Sequence, residues 1–199
     1  KVHRDRLCLA LAVVGQAMPN FFFALILIMV LAVSLHWLPV SGTASWKNYI
    51  LPSIALGWYA VPAVMRLSRA LERAVHDKAI VSVQGPLRLD ETNEPQPDVL
   101  LLEPRADFYA SAHPSAADVL LLIEVCDASA RYDREIKLPL YARHGIAEVW
   151  MVDLPAGCVR FFRAPEGGRY RDITASETPG LVAVAALPGM AINLAGALG

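Results

Sequence analysis

Two acidic residues in the second half of the sequence stand beside strongly apolar segments. Asp98 precedes the run VLLL after a proline-rich turn, and Glu124 lies within the run DVLLLIEV. A carboxylate in such surroundings is costly unless it meets a cation or faces an open edge. Two carboxylates brought together from neighbouring strands form a hard-oxygen site that suits Mg²⁺ or Mn²⁺. Because such a metal can polarise a phosphate and activate a water, the pair predicts metal-assisted hydrolysis.

A third candidate, Lys137, follows on the next predicted helix. Its ammonium group could lie beside the charge that develops on a phosphate during attack. Each residue also has an ordinary structural interpretation. Asp98 can simply begin a strand after a turn, and Glu124 can have a purely structural role. Lys137 stands four residues after Asp133, which is the spacing of a solvent-facing helix pair.

Short apolar segments and one helix are predicted to position these residues. The predicted strands cover residues 80–90, 98–103, 118–125 and 148–153, with a hairpin formed by 157–163 and 170–173. Residues 130–144 favour a helix that ends at Gly145, despite Pro139 within it. The segment 118–125 is apolar throughout, which is typical of a central strand buried on both faces. The fold expected for residues 71–199 is therefore an α/β (α+β) mixed sheet with a packed helix.

The segments PQPDVLLLEPRADFY and HPSAADVLLLIEVCDASARYDREIKLPLYARHGIAEVWMVDL carry a family resemblance. They resemble the Uma2 family of restriction endonucleases, which has the PD-(D/E)xK nuclease fold, over about residues 79–170. The resemblance implies that Asp98 and Glu124 bind the metal and that Lys137 is the catalytic lysine. One position departs from the general nuclease motif, because Cys126 stands two residues after Glu124 where the motif has lysine. A lysine from the helix must then replace it.

Two further residues are weaker candidates for the same site. Gln84 lies on the preceding predicted strand and could border the site. Tyr141 lies one helical turn after Lys137 and could support it, although core packing also accounts for a tyrosine there. Asp153 ends an apolar strand and could approach the site, but capping of the next turn is the favoured role.

The first 70 residues have a different character. They hold six Lys/Arg and one acid, a net charge of +5, whereas residues 71–199 hold 12 Lys/Arg and 18 acids, a net charge of −6. Two apolar runs, 21–37 and 49–65, approach the roughly 17–25 residues that span a bilayer. They predict an α-helical two-span membrane hairpin with spans at about 19–38 and 49–66. Cations at both flanks predict that both termini face the cytoplasm at the inner membrane. Residues 3–17 are compatible with an amphipathic entry helix.

This first segment carries a second resemblance. The sequence from GQAMPNFFF through WLPVSG and YILPSIALG to RLSRA resembles the inner-membrane permease subunit of dipeptide/oligopeptide ABC importers. The cytoplasmic coupling loop that the family needs next is missing. The expectation is a non-transporting permease fragment over residues 1–70, joined to a nuclease-like domain over 71–199, without an ATPase subunit as partner. The string RLSRA can serve as the end of either the permease-like or the nuclease-like pattern. Such a shared string is expected at the joint of a chimera.

These expectations combine into a metal-dependent endonuclease that hydrolyses DNA phosphodiester bonds and is tethered to a bilayer by residues 19–66. The net charge of −6 on residues 71–199 indicates weak DNA affinity, since DNA-binding surfaces are usually basic. A homodimer is compatible with the sequence. One alternative is a membrane component of a peptide transport system with an inactive appended domain. Another is a catalytically inactive module that only binds nucleic acid or protein.

Overall fold

The computed structural model describes residues 20–126 and 132–195. The chain divides into two compact units, Lys1–Pro62 and Ala63–Gly199. The predicted entry helix at residues 3–17 lies outside the described residues. The predicted division of sequence types at residue 70 falls inside a helix of the structure, and it stays a prediction.

The first unit contains short helical segments. Helix α1 (Asn20–Leu27) continues as a π-helical segment, Ile28–Ser34. A 3₁₀ turn, Trp46–Tyr49, is capped by Ser45 and leads into helix α2, Ile50–Val75, whose second half belongs to the second unit. The unit leaves several large apolar side chains exposed, among them Leu25, Met29, Val33, Trp37 and Trp46.

The predicted two-span membrane hairpin is wrong. In the described part of the chain, no helix is both long enough and apolar enough to cross a bilayer. In the described part of the first predicted span, 19–38, the helical residues are Asn20–Leu27 and the π-helical Ile28–Ser34. They cover about 22 Å at the α-helical rise of 1.5 Å per residue, against a core of about 30 Å. The second, 49–66, continues into the charged stretch of α2 that carries Arg66, Arg69 and Glu72. The predicted location at the inner membrane, with both termini in the cytoplasm, stays a prediction.

The second unit is built on one six-stranded sheet. Its strands are β1 (Ile80–Val83), β2 (Val99–Leu102), β3 (Val119–Cys126), β4 (Glu148–Asp153), β5 (Cys158–Glu166) and β6 (Arg169–Ser176). They lie side by side in chain order, and only the β3–β4 pair is parallel. The mixed sheet predicted for residues 71–199 is therefore present. A separate hairpin follows, formed by β7 (Leu181–Ala183) and β8 (Ala191–Asn193).

Strand β3 is the centre of the sheet. All eight of its residues are buried, which explains why its sequence is continuously apolar apart from Glu124. A parallel partner requires a crossover connection, and the segment between β3 and β4 supplies it. This crossover contains a π-helical turn, Asp133–Lys137, followed by helix α3, Leu138–Arg143. Helix α3 packs on one face of the sheet through Leu138, Tyr141 and Ala142.

The first strand is shorter than the predicted 80–90. It ends at Val83, and Gln84 adopts a φ of +50°. The left-handed region interrupts an extended strand, and Pro86 two residues later has no N–H for a ladder bond. The strand therefore stops where Gln84 meets the start of β2, and this placement brings Gln84 beside Asp98.

Candidate active site

The strand register places Asp98 and Glu124 opposite each other. Val99 pairs with Ile123 and Leu100 with Leu122, so the next step of this antiparallel register pairs Asp98 with Glu124. Directly opposite residues point to the same face of a sheet. That face is the one covered by helix α3, because Leu100 and Leu122 share its core with Tyr141. The two predicted acids thus lie together on the helix-covered face.

The crossover helix is adapted to reach this face. Its first turn is π-helical, and the N–H of Leu138 donates to the carbonyl of Asp133 five residues earlier. Pro139 has no N–H, and its ring would clash with the carbonyl four residues before it in a regular helix. The wider π turn relieves this conflict, and such turns often occur at functional sites. It leaves both Asp133 and Lys137 directed toward the sheet.

Glu124 receives two side chains from this helix. Nζ of Lys137 lies 3.0 Å from Oε1 of Glu124, and the hydroxyl of Tyr141 donates to the same oxygen at 2.6 Å. Nζ of Lys137 also lies 3.0 Å from Oδ1 of Asp133. The ion pair at four-residue spacing is therefore present, but it is buried at Asp133 and not solvent-facing, and Lys137 also contacts Glu124. Only 3% of Glu124 is exposed, whereas the side chain of Lys137 keeps 24% exposure, so the network reaches solvent through the lysine.

Asp98 is held by the backbone of the neighbouring strand. The N–H of Val125 donates to Oδ2 of Asp98 at 2.8 Å. On its other side, the N–H of Gln84 donates to the carbonyl of Asp98 at 3.0 Å, and the Gln84 side chain also hydrogen-bonds its carboxylate. Gln84 directly follows β1 and Asp98 directly precedes β2, and the two consequently lie in a row with Glu124 of β3.

The electrostatics of the two acids follow from burial. Burial raises the pKa of Glu124 to about 7, and the nearby charge of Lys137 and the bond from Tyr141 only partly offset it. Burial also raises the pKa of Asp98, against the bond from Val125 and the charge of Lys137. The charge of Asp98 also raises the pKa of Glu124, and the charge of Asp133 raises the pKa of Asp98, because like charges in one site resist joint ionisation. The pair is therefore incompletely charged near neutral pH unless a cation joins it.

The two helix residues remain protonated. Burial lowers the pKa of Lys137, but the carboxylates of Glu124 and Asp133 outweigh it and leave the pKa above its usual value. Burial, reinforced by Glu124, raises the pKa of Tyr141. Lys137 is thus a permanent ammonium group and Tyr141 a permanent hydrogen-bond donor.

Asp133 is the residue of this network that the sequence did not single out as part of the site. It is buried at 4% exposure, pairs with Lys137 and hydrogen-bonds the thiol of Cys126, whose pKa is raised first by burial and then by Asp133. The sequence feature that could have pointed to Asp133 was Pro139, six residues later, because a proline disturbs the helical turn before it. Asp153 accepts from the N–H of Ala156 at 3.1 Å, so it caps the turn as predicted.

The donor set decides which metal could be held. Among residues 20–126 and 132–195, no group of three or more His, Cys, Asp or Glu side chains is arranged to hold a metal ion. The site offers two carboxylates instead. Mg²⁺ keeps several waters and is commonly bound by one or two carboxylates plus a substrate phosphate. The residues therefore fit Mg²⁺ or Mn²⁺ and do not resemble a closed protein cage.

Comparison with known proteins agrees with this arrangement. A family model described as "Putative restriction endonuclease", named Uma2, matches residues 55–195. Among solved structures, the fold is similar to a "putative nuclease belonging to DUF820" from Anabaena variabilis, with a TM-score of 0.55 and 13% sequence identity, over 70% of this chain and 79% of that one. At this identity the similarity shows the fold alone.

A second similarity concerns a smaller part of the chain. The glutathione transport system permease protein GsiC of Escherichia coli is 51% identical over 67 residues, and that of Salmonella paratyphi A is 41% identical over 66 residues. Each match covers 33% of this chain and 22% of the permease. The chain thus spans about a fifth of the length of these curated relatives.

Proposed function

Because the chain belongs to the Uma2 family of restriction endonuclease-like proteins, we propose that it is a metal-dependent endonuclease that hydrolyses DNA phosphodiester bonds. The observation that supports this function best is the convergence of Asp98, Glu124 and Lys137 on one face of the sheet. Two acids and an ammonium group at one point match the needs of phosphodiester hydrolysis, in which charge develops on phosphate oxygens.

In this proposal, Asp98 and Glu124 hold Mg²⁺ or Mn²⁺, which supplies Lewis-acid polarisation of the phosphate and a more acidic bound water. Asp98 is oriented by the N–H of Val125. Glu124 is oriented by Tyr141, and both helix donors meet its Oε1. Glu124 would thus hold the metal while its Oε1 accepts from both helix donors.

Lys137 acts as a charge stabiliser and not as a base. Its raised pKa keeps it an ammonium group, which can donate a hydrogen bond to a phosphate oxygen as negative charge builds up. Lys137 replaces the lysine that the general motif has two residues after the second acid. At that position Cys126 is fully buried beside Asp133, so a thiol fills the space and the cation comes from the helix.

Nicking of supercoiled plasmid by the purified chain tests this function. With Mg²⁺ or Mn²⁺ the chain is expected to nick, and with EDTA it is not. Asp98→Ala, Glu124→Gln and Lys137→Met should each reduce the rate by about a hundredfold or more, since each removes a group that stabilises the transition state.

Two variants are matched controls for the loss of charge. Glu166→Gln neutralises an exposed acid on β5 that pairs with Arg171, and Lys78→Met neutralises an exposed lysine before β1. Both should retain the full rate. Nicking that persists in both Asp98→Ala and Glu124→Gln would overturn the assignment of the site.

The permease similarity covers too little of its relatives to support a second function.

A further inference from the structure

A cavity of about 540 Å³ lies away from the candidate active site, between the second half of helix α2 and the β7–β8 hairpin. Its volume is within the roughly 300–1,000 Å³ typical of small-ligand sites. The helix contributes Arg66, Arg69 and Arg73, and the hairpin contributes Asn193. The remaining lining is small or apolar, mainly alanine and leucine side chains. The cavity therefore has a basic wall facing an uncharged one.

The three arginines share one side of the helix. Their spacing of three and four residues places them on a common face, next to the buried stripe that contains Leu67 and Leu71. In the described part of the chain, no Asp or Glu lies within ion-pair distance of any of the three. The helix dipole favours cations in the last turn, and this explains Arg73 alone. Three guanidinium groups without an acidic partner among residues 20–126 and 132–195 thus line one cavity.

One of these three guanidinium groups has an N–H donor without a hydrogen-bond partner among the described residues. Nε of Arg66 is a buried side-chain nitrogen without a hydrogen-bond partner in the described residues. Leaving a buried charged donor unsatisfied costs more than leaving a neutral one. An anionic oxygen in the cavity would satisfy it. On the opposite wall, Asn193 accepts from the N–H of Ala195 through Oδ1, which leaves its amide N–H₂ as a donor for the same ligand.

The cavity is separate from the acids of the candidate active site. The hairpin region reaches the sheet through Ala185, whose N–H donates to Oε2 of Glu148 at 2.8 Å. Glu148 lies three residues before Met151, the partner of Glu124 in the strand register. Side chains alternate between faces along a strand, so Glu148 and Glu124 point to opposite faces. A ligand here would not meet the active-site carboxylates.

We propose that this cavity is a binding site for a phosphate-bearing anion, held by Arg66, Arg69 and Arg73 with Asn193 opposite. Guanidinium groups bind phosphate through paired N–H donors, and several together suit a ligand with more than one phosphate oxygen to share. A free phosphorylated compound and a DNA backbone carry this same chemistry. The proposal does not depend on the nuclease function.

Calorimetric titration of the full chain with sodium pyrophosphate tests the site. EDTA is present, so that no metal recruits phosphate to Asp98 and Glu124. Pyrophosphate is expected to bind the unaltered chain. The double variant Arg69→Gln/Arg73→Gln should weaken binding by about tenfold or more, because it removes two charge-assisted contacts. Asn193→Asp, which places a negative charge on the opposite wall, should weaken binding as well. Circular dichroism checks that each variant is folded.

A matched control and a second ligand complete the experiment. Arg171→Gln removes an exposed arginine that pairs with Glu166 on the sheet edge, and its pyrophosphate affinity should be unchanged. A short DNA duplex that displaces pyrophosphate identifies the DNA backbone as the source of the phosphate, whereas a duplex that leaves it bound identifies a free compound. Absence of pyrophosphate binding, or equal binding by the arginine double variant, overturns the proposal.

Discussion

At the scale of single residues, Glu124 is the point on which the network depends. It is the one acid of strand β3, all eight residues of which are buried, and two donors from the helix meet the same oxygen. Burial and these donors act in opposite directions on its pKa, and burial prevails. Whether Glu124 binds a proton or a metal cation therefore depends on pH. The effect of each hydrogen-bond partner on its pKa can then be measured.

The substitution Tyr141→Phe measures the effect of one of these hydrogen-bond partners on the pKa of Glu124. The hydroxyl of Tyr141 lowers the pKa of Glu124, so its removal should raise that pKa further. Metal binding needs the charged carboxylate, and the acid limb of the nicking rate should therefore move to higher pH by about one unit, the equivalent of a bond to a charged group. The measurement is the rate as a function of pH at one fixed Mg²⁺ concentration below saturation, because saturating Mg²⁺ would displace the proton at every pH.

The control for this variant is Tyr170→Phe. Tyr170 is also buried and donates to the carbonyl of Ile146 at 2.8 Å, so it loses a hydrogen bond without touching Glu124. Its acid limb should stay where it is. An identical limb in Tyr141→Phe and the unaltered chain would show that the tyrosine only fills the core.

At the scale of elements, the π-helical turn determines the direction of the Lys137 side chain. Pro139 prevents a regular helix at this point, and the turn Asp133–Lys137 absorbs the extra residue. Pro139→Ala restores an N–H and permits a regular α-helix, which would rotate Lys137 away from Glu124. We expect the nicking rate to fall by about tenfold or more, since small misplacements of catalytic groups are costly, while thermal stability is retained. Pro104→Ala, at an exposed proline outside the helix, should retain the rate. A full rate in Pro139→Ala would mean that the turn has no functional role.

Sequence patterns predict elements well where burial alone determines them. The continuous apolar run around Glu124 predicted strand β3 almost to the residue, and the run after Asp98 predicted β2. The alternation in 80–90 could not reveal that Gln84 turns left-handed, because backbone conformation at one residue leaves little trace in hydropathy. The network role of Asp133 depends on the π turn and was equally hidden. The membrane hairpin failed for another reason, since hydropathy counts apolar residues and does not show where the helix through them ends.

At the scale of the whole molecule, helix α2 connects the two kinds of sequence. The family match begins at residue 55, inside Ile50–Val75, so the helix is part of the nuclease-like region by similarity. Its arginines were expected to lie beside a bilayer, and they line a cavity instead. A cation next to an apolar run therefore has two physical explanations, anchoring at a bilayer interface or lining a cavity, and hydropathy alone does not separate them.

The second unit should lose stability as pH rises, and the stability it gains from Mg²⁺ should increase over the same pH range. The pKa of Glu124 is raised from 4.5 to about 7 on folding, and that of Asp98 is raised as well. The native state then holds extra protons in this window, so their stabilising contribution is complete below about pH 4.5 and is lost as pH rises through 7. In EDTA, Tm should fall by several degrees between pH 5 and 8, equivalent to about 3 kcal/mol for Glu124.

Mg²⁺ favours the charged carboxylates, so the gain in Tm on adding Mg²⁺ should grow over the same pH range. Scanning calorimetry of the unaltered chain and of Glu124→Gln measures both effects. The variant cannot titrate at this position, so it should lose most of the pH slope and most of the Mg²⁺ effect, and equal slopes in the two proteins would exclude Glu124 as the titrating metal ligand.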